Sequence, residues 1–180
     1  MCGRFEQAQT REVYLAYLAE EADLHIAYDL SRLDVTTCAL HESFVAERTR
    51  RTFAPRSSFP GYAPRWWNKL PLINARVETA ATSRMFNSLW QHGRAICFAD
   101  GWFELKKEGD KKQPFFIHRA DGQPIFMAAI GSTPFERGDE AKGFLIVTST
   151  TDKGLNGIHD RWPLVLSPEA ARVWMRQERS

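Results

Sequence analysis

The chain has 180 residues, of which 43% are hydrophobic and 12% aromatic; this suits one hydrophobic core and leaves no room for two ordinary domains. Charged residues make up 26% and there are only 11 Gly and 9 Pro, so a disordered or low-complexity chain is excluded. A net charge of +2, from 24 basic against 22 acidic residues, excludes a general polyanion-coating protein but permits a local basic groove, and 17 of the basic residues are arginine, which suits bidentate phosphate contact.

In chain order, residues 11–22 are expected to form a surface helix, with Thr10 as N-cap and Tyr14, Tyr17 and Leu18 on one face. Residues 32–59 show neither helix nor strand period, yet are too long for an unstructured loop in a compact domain. A second helix is expected over 79–91, where Ala81, Met85, Phe86, Leu89 and Trp90 recur at helical spacing and Gly93 supplies the stop. Short apolar runs at 95–99, 102–105, 115–119, 125–130 and 144–149 read as strands, punctuated by Asp100-Gly101, Glu108-Gly109-Asp110 and Asp121-Gly122. A last helix is expected over 168–177, behind Ser167 as N-cap and Pro168 at its first position. The order lacks βαβ alternation, which predicts a single α+β domain: a curved, mostly antiparallel sheet or barrel-like core flanked by helices.

No apolar run approaches the ~20 residues of a membrane helix. Residues 1–4 open no signal-peptide pattern, so a cytoplasmic protein without a membrane partner is expected. The three cysteines, Cys2, Cys38 and Cys97, form no CxxC pair, and no P-loop or dinucleotide fingerprint is present. No disulfide, metal or cofactor is expected. Cys97 sits mid-strand and, with Cys38, reads as a bystander.

Cys2 is different, because removal of Met1 would place an α-amine and a thiol on adjacent carbons of one residue. Such a 1,2-aminothiol condenses with an aldehyde, first as a Schiff base and then, by thiol attack, as a thiazolidine. With reference pKa values of about 8 for the amine and about 8.5 for the thiol, both steps need proton-transfer help near neutrality. On position alone, an incidental cysteine remains the alternative.

Five segments bear on that choice: Met1-Cys2-Gly3-Arg4-Phe5; Gly61-Tyr62-Ala63-Pro64 with Trp66-Trp67; residues 73–79 (INARVET); residues 99–104 (ADGWFE); and Ile158-His159-Asp160-Arg161 with Pro163. In this order they resemble the SRAP family, the SOS response-associated peptidases or abasic-site processing proteins, over residues 1–31 and 61 to about 176. The short bacterial members are the most similar. The resemblance implies a monomer that binds single-stranded DNA containing abasic sites and captures the open-chain aldehyde covalently through Cys2. AP-lyase activity and autoproteolytic removal of Met1 are implied as well.

On the matching positions, Cys2 supplies amine and thiol, Asn74 positions the amine or a sugar hydroxyl, and Glu104 and His159 transfer protons. Arg4, Arg76, Arg84 and Arg161 lie in or beside the motifs as phosphate ligands, and one of Trp66 and Trp67 is expected to stack on a flanking base. Trp102 and Phe103 read as pocket wall or core; Lys106, Lys107, Lys111 and Lys112 read as a solvated hairpin run; His25, His41, His92 and His118 read as surface or structural.

The chain departs from the family after its first helix, where an Arg-Tyr-Asn-x-x-Pro segment and an apolar strand are usual and residues 32–59 have neither. Leu105 and Trp162 are further departures. With one choice of codons for 34–46, the alternative frames read Arg-Tyr-Asn-Val and Thr-Lys-Val-Leu-Leu, so this segment is expected to be encoded out of frame. Two other readings stay open: an N-terminal-cysteine peptidase acting on proteins through Cys2, His159 and Glu104, and a non-catalytic single-strand DNA-binding module.

Overall fold

The computed structural model describes residues 4–9, 11–18, 35–36, 43–48, 53–58, 61–131, 143–150 and 158–175, those from 35 to 58 as backbone only. In chain order they form β1 (Arg4–Glu6), α1 (Arg11–Leu18), β2 (Val35–Thr36), β3 (Ser43–Arg48), β4 (Phe53–Ser58), β5 (Asn74–Arg76), α2 (Val77–Ala80) and α3 (Asn87–His92). There follow β6 (Arg94–Ala99), β7 (Gly101–Glu108), β8 (Lys111–His118), β9 (Ile125–Gly131), β10 (Phe144–Thr150), β11 (Arg161–Pro163), β12 (Val165–Leu166) and α4 (Pro168–Met175).

The fold is α+β, but the expected curved or barrel-like sheet is not found. Two open sheets replace it: one of four strands in the order β2-β1-β7-β8, and one of eight whose main path runs β11-β10-β9-β6-β3-β4. Each path has two different end strands, so neither closes, and the parallel pairing of β5 with β10 makes the larger sheet mixed. The reason is burial on two sides. In β6, Ala95, Cys97 and Ala99 face the smaller sheet, while Ile96 and Phe98 face α1 and α4. In β9 and β10, Ile125, Met127, Ala129, Phe144 and Ile146 face the smaller sheet, and Ala128, Ile130, Leu145 and Val147 pack toward α2 and α3. Strands sandwiched this way read as continuous apolar runs, which is why all three are visible in sequence but their two partners are not.

The smaller sheet contributes Phe5 and Trp102 to the shared core, both nearly fully buried. Its β7–β8 hairpin turns at Gly109, whose φ of +61° suits a residue without Cβ. The helix expected over 79–91 is two short helices. Thr82 Oγ1 donates to the Thr79 carbonyl and Ser83 Oγ accepts from the Met85 N–H, so local side-chain bonds compete with the helical ladder between them. Helices α1 and α4 stand within their expected limits; the rest of 11–22, and Thr10, lie outside the described residues.

One topological detail positions the site. β9 pairs with β10 through 129–131 and with β12 through 126–127, on the same edge. The two strands diverge, and the chain from Arg161 to Leu166 enters the fork. Leu164 sits in its crotch, donating its N–H to Val147 and accepting from the Ala128 N–H on the other side.

Candidate functional site

Phe5 anchors β1 in the core, so its neighbour Arg4, which is paired across the ladder with Phe103, is turned outward. The segment after β1 is held by Asp100, at the β6–β7 turn. Its carboxylate accepts from the Ala8 N–H at 2.6 Å, the Gln9 amide at 2.6 Å and the Tyr14 hydroxyl at 2.8 Å. Gln7 is itself buried and donates to the Phe98 carbonyl at 2.6 Å. Burial, with a further push from the Asp100 carboxylate, raises the Tyr14 hydroxyl well above the usual phenol range, so it remains a donor. The sequence reading of Asp100-Gly101 as turn chemistry misses this hub. A carboxylate at a turn has no periodic signature.

Beside β1 a cleft of about 330 Å³ is lined by Arg4, Phe103, Glu104, Leu105, Lys107, Lys112, Pro114 and His159. Three of the expected site residues, Arg4, Glu104 and His159, therefore meet. Glu104 follows Trp102 by two on β7 and shares its inward face, which leaves it 3% exposed in a wall otherwise rich in cations. His159 stands just before β11, and its Nδ1 accepts from the Arg161 N–H at 3.0 Å. The same nitrogen is 3.2 Å from Asp160, a carboxylate 93% exposed and thus screened by water. The backbone donor makes Nδ1 the acceptor, so the neutral ring carries its proton on Nε2.

The other expected residues stand apart from this lining. Asn74 is half-buried on β5, with Ile146 as its ladder partner. Arg76 and Arg84 are exposed, Arg76 opposite Thr148. Arg161 is committed within the fold: its guanidinium forks onto Glu78 at 2.9 and 3.2 Å and donates to the Thr148 carbonyl at 2.8 Å. That hydrogen-bonded pair holds the Glu78 carboxyl down at about 2. Trp66 is 68% exposed, whereas Trp67 is half-buried, donates to the Leu70 carbonyl at 2.9 Å and meets Trp66 edge to face. Trp102 is core and packs against Trp162; Phe103 is cleft wall. Cys97 is buried, His92 is exposed, and His118 is an exposed residue stacked on Phe116. Cys2, Cys38, His25 and His41 lie outside the described residues.

Lys107 and Lys112, read from sequence as a solvated run, line the cleft; strand alternation combined with the hairpin register is the signal that finds them. Among the described residues, no group of three His, Cys, Asp or Glu could hold a metal ion, and no helix is long and apolar enough to cross a membrane.

Comparison with known proteins adds a context to this geometry. The family described as SOS response associated peptidase (SRAP) matches residues 1–180. The abasic site processing protein YedK of Escherichia coli K12 is 70% identical over 181 residues, covering 99% of this chain and 81% of that protein. The abasic site processing protein YMR114C of Saccharomyces cerevisiae is 35% identical over 105 residues, covering 57% of this chain and 28% of its own length. Among solved structures, a phage-related protein from Bordetella bronchiseptica superposes with a TM-score of 0.80 at 30% identity, covering 97% of this chain and 81% of that one. A Bacteroides thetaiotaomicron protein, 20% identical with a TM-score of 0.76, shares the fold over 99% of this chain and 83% of its own.

Proposed function

The chain belongs to the SRAP family, and on that footing we propose that it processes abasic sites in single-stranded DNA by closing its N-terminal cysteine onto the aldehyde of the lesion. The observation that carries this reading is the meeting of Arg4, Glu104 and His159 in one cleft, two residues down the chain from Cys2. Consecutive Cα atoms are about 3.8 Å apart, so covalent connectivity alone keeps Cys2 within about 8 Å of Arg4.

Hydrolysis of the Met1–Cys2 bond frees the α-amine. The amine adds to the aldehyde carbon and water leaves, giving a Schiff base. The thiol sulfur then attacks the same carbon while its proton ends on nitrogen, which closes the thiazolidine. Glu104, buried beside the cations of the cleft, accepts and returns the protons that these steps move. His159, with Nδ1 held by the Arg161 N–H, offers Nε2–H as donor to the departing hydroxyl. Asn74 orients amine or sugar, Arg4, Arg76 and Arg84 hold phosphates, and Trp66, the exposed member of its pair, stacks on a flanking base. Arg161 serves the site through Glu78 and through the backbone N–H it donates to the His159 ring more directly than as a phosphate ligand. On this reading the protein acts on DNA in the cytoplasm, as a monomer and without a cofactor.

The test is a denaturing gel shift with an abasic single-stranded oligonucleotide. Wild-type protein should give a denaturation-stable adduct and Cys2→Ser none. An adduct that survives Cys2→Ser removes the thiazolidine; absence of any wild-type adduct, with Cys2-dependent cleavage of peptides, would favour the peptidase reading.

A further inference from the structure

The outward face of the smaller sheet supplies most of the cleft's strand residues, while Glu104 joins them from the inward-facing row. The β7–β8 register pairs Phe103 with Phe116, Leu105 with Pro114 and Lys107 with Lys112, and β1 sets Arg4 beside Phe103. By strand alternation these side chains share the outward face. All of them except Phe116 line the cleft, and the Phe116 ring contacts Phe103 with centroids 4.8 Å apart. Starting from Arg4, the face thus runs from a cation through an aromatic and apolar shelf to a lysine pair about 13 Å further along the strand, at two residues per row and about 3.3 Å per residue.

That lysine pair is the unexplained feature. Like charges directly opposite one another in a ladder are destabilising. The hairpin's opposite face compensates its charges: Lys106 bridges Glu108 at 2.9 Å, and Glu108 lies directly across from Lys111. Lys107 and Lys112 have no such relief; among the described residues neither forms an ion pair or hydrogen bond, and both are exposed at the mouth of the cleft. An anion between the two ammonium groups would remove the repulsion and is what the arrangement selects.

Resting on the function proposed above, we infer that Lys107 and Lys112 bind a backbone phosphate of the DNA strand flanking the abasic site, with the shelf of Phe103, Leu105, Pro114 and Phe116 carrying the intervening nucleotide. Continuity with the reaction cleft and charge complementarity both point to the substrate strand itself. Phosphate gives the charge that the pair lacks, and an aromatic shelf accepts any base.

The experiment compares wild type with Lys107→Gln/Lys112→Gln, using single-turnover adduct formation at subsaturating DNA across a salt series. Oligonucleotides carry one uncharged methylphosphonate at each position in turn on either side of the abasic site. The double variant should slow capture about tenfold and lower the slope of log rate against log salt by about 0.7, the value for one phosphate on a single strand. One methylphosphonate position should reproduce that loss in wild type and add nothing in the variant. Lys107→Arg/Lys112→Arg should restore capture, and Lys106→Gln should behave as wild type. The double Gln variant should unfold at a midpoint no lower than wild type, because it removes a repulsion, and this separates lost binding from lost fold. Wild-type capture kinetics and salt slope in the double Gln variant overturn the inference and would leave the pair to an acidic protein surface. If wild type forms no adduct with any oligonucleotide, the parent reading fails instead.

Discussion

Single residues tie this protein's stability to its reactive end. Tyr14 donates to Asp100 while Asp100 holds Ala8 and Gln9, and burial raises the phenol's pKa. The unfolded chain loses the phenol proton near pH 10, as the free side chain does, while the folded chain keeps it. Stability should therefore be full below about pH 10 and fall above it. Tyr14→Phe should flatten that alkaline limb in denaturant melts followed from pH 8 to 11. Glu78 works in the opposite direction. Its folded carboxyl is held at about 2 by Arg161, so its contribution is present above the usual carboxylate range and is lost as the pH falls toward 2. Glu78→Gln should remove part of the acid dependence between about pH 5 and 2, read as unfolding midpoint against pH. At the chemistry itself, Glu104→Gln and His159→Gln should each slow adduct formation by about 10² to 10⁴ while still allowing it to reach completion. Single-turnover time courses that match wild type in both variants would make the two residues structural.

Among the elements, the β6–β7 corner leaves no room for a side chain at Gly101. A Cβ on Gly101 would stand 2.5 Å from the Ile117 carbonyl oxygen and 2.6 Å from the Phe116 ring. Gly101→Ala should cost about 2 kcal/mol and lower the thermal midpoint by roughly 4–8 °C. Any loss of capture it causes would come through the shelf that Phe116 helps to form. The elements also divide by how much of themselves they show in sequence. β6, β9 and β10 announce themselves as apolar runs because both faces are buried. β1, β5, β11 and β12 have two or three residues each and owe their form to partners distant in the chain, so no local period reveals them. β3 and β4 occupy part of residues 32–59, where the sequence shows no strand period. Our proposal that 34 to about 59 are translated out of frame is open to resequencing of the gene: an error-free read whose other frames lack both the Arg-Tyr-Asn segment and an apolar strand overturns it.

At the scale of the molecule, three layers, small sheet, large sheet and helices, bring together residues from both ends of the chain. The motif residues Glu104 and His159 were legible because their neighbours in sequence match a family pattern, and the cleft places them together. The internal engagement of Arg161 was not, since Glu78 and Thr148 reach it only through the β10 ladder. The whole depends on Phe5, which sits in the core between the sheets while its strand leads to Cys2. Phe5→Ala should cost about 3–5 kcal/mol. Its capture rate per folded molecule should fall as well, because β1 loses the anchor that fixes its outward face. Equal loss of folded fraction and of rate would confine Phe5 to stability.

The fork between β9 and β10 has a consequence for the order in which this protein is made. His159 stands two residues before the Arg161–Leu166 segment that fills the fork, and its Nδ1 accepts from the Arg161 N–H, so its place is fixed only once the ribosome has delivered that late segment. At about 5–20 residues per second, the N-terminal segment waits on the order of 10 s before His159 is synthesised. On the function proposed here, the topology delays reactivity until the fork is filled.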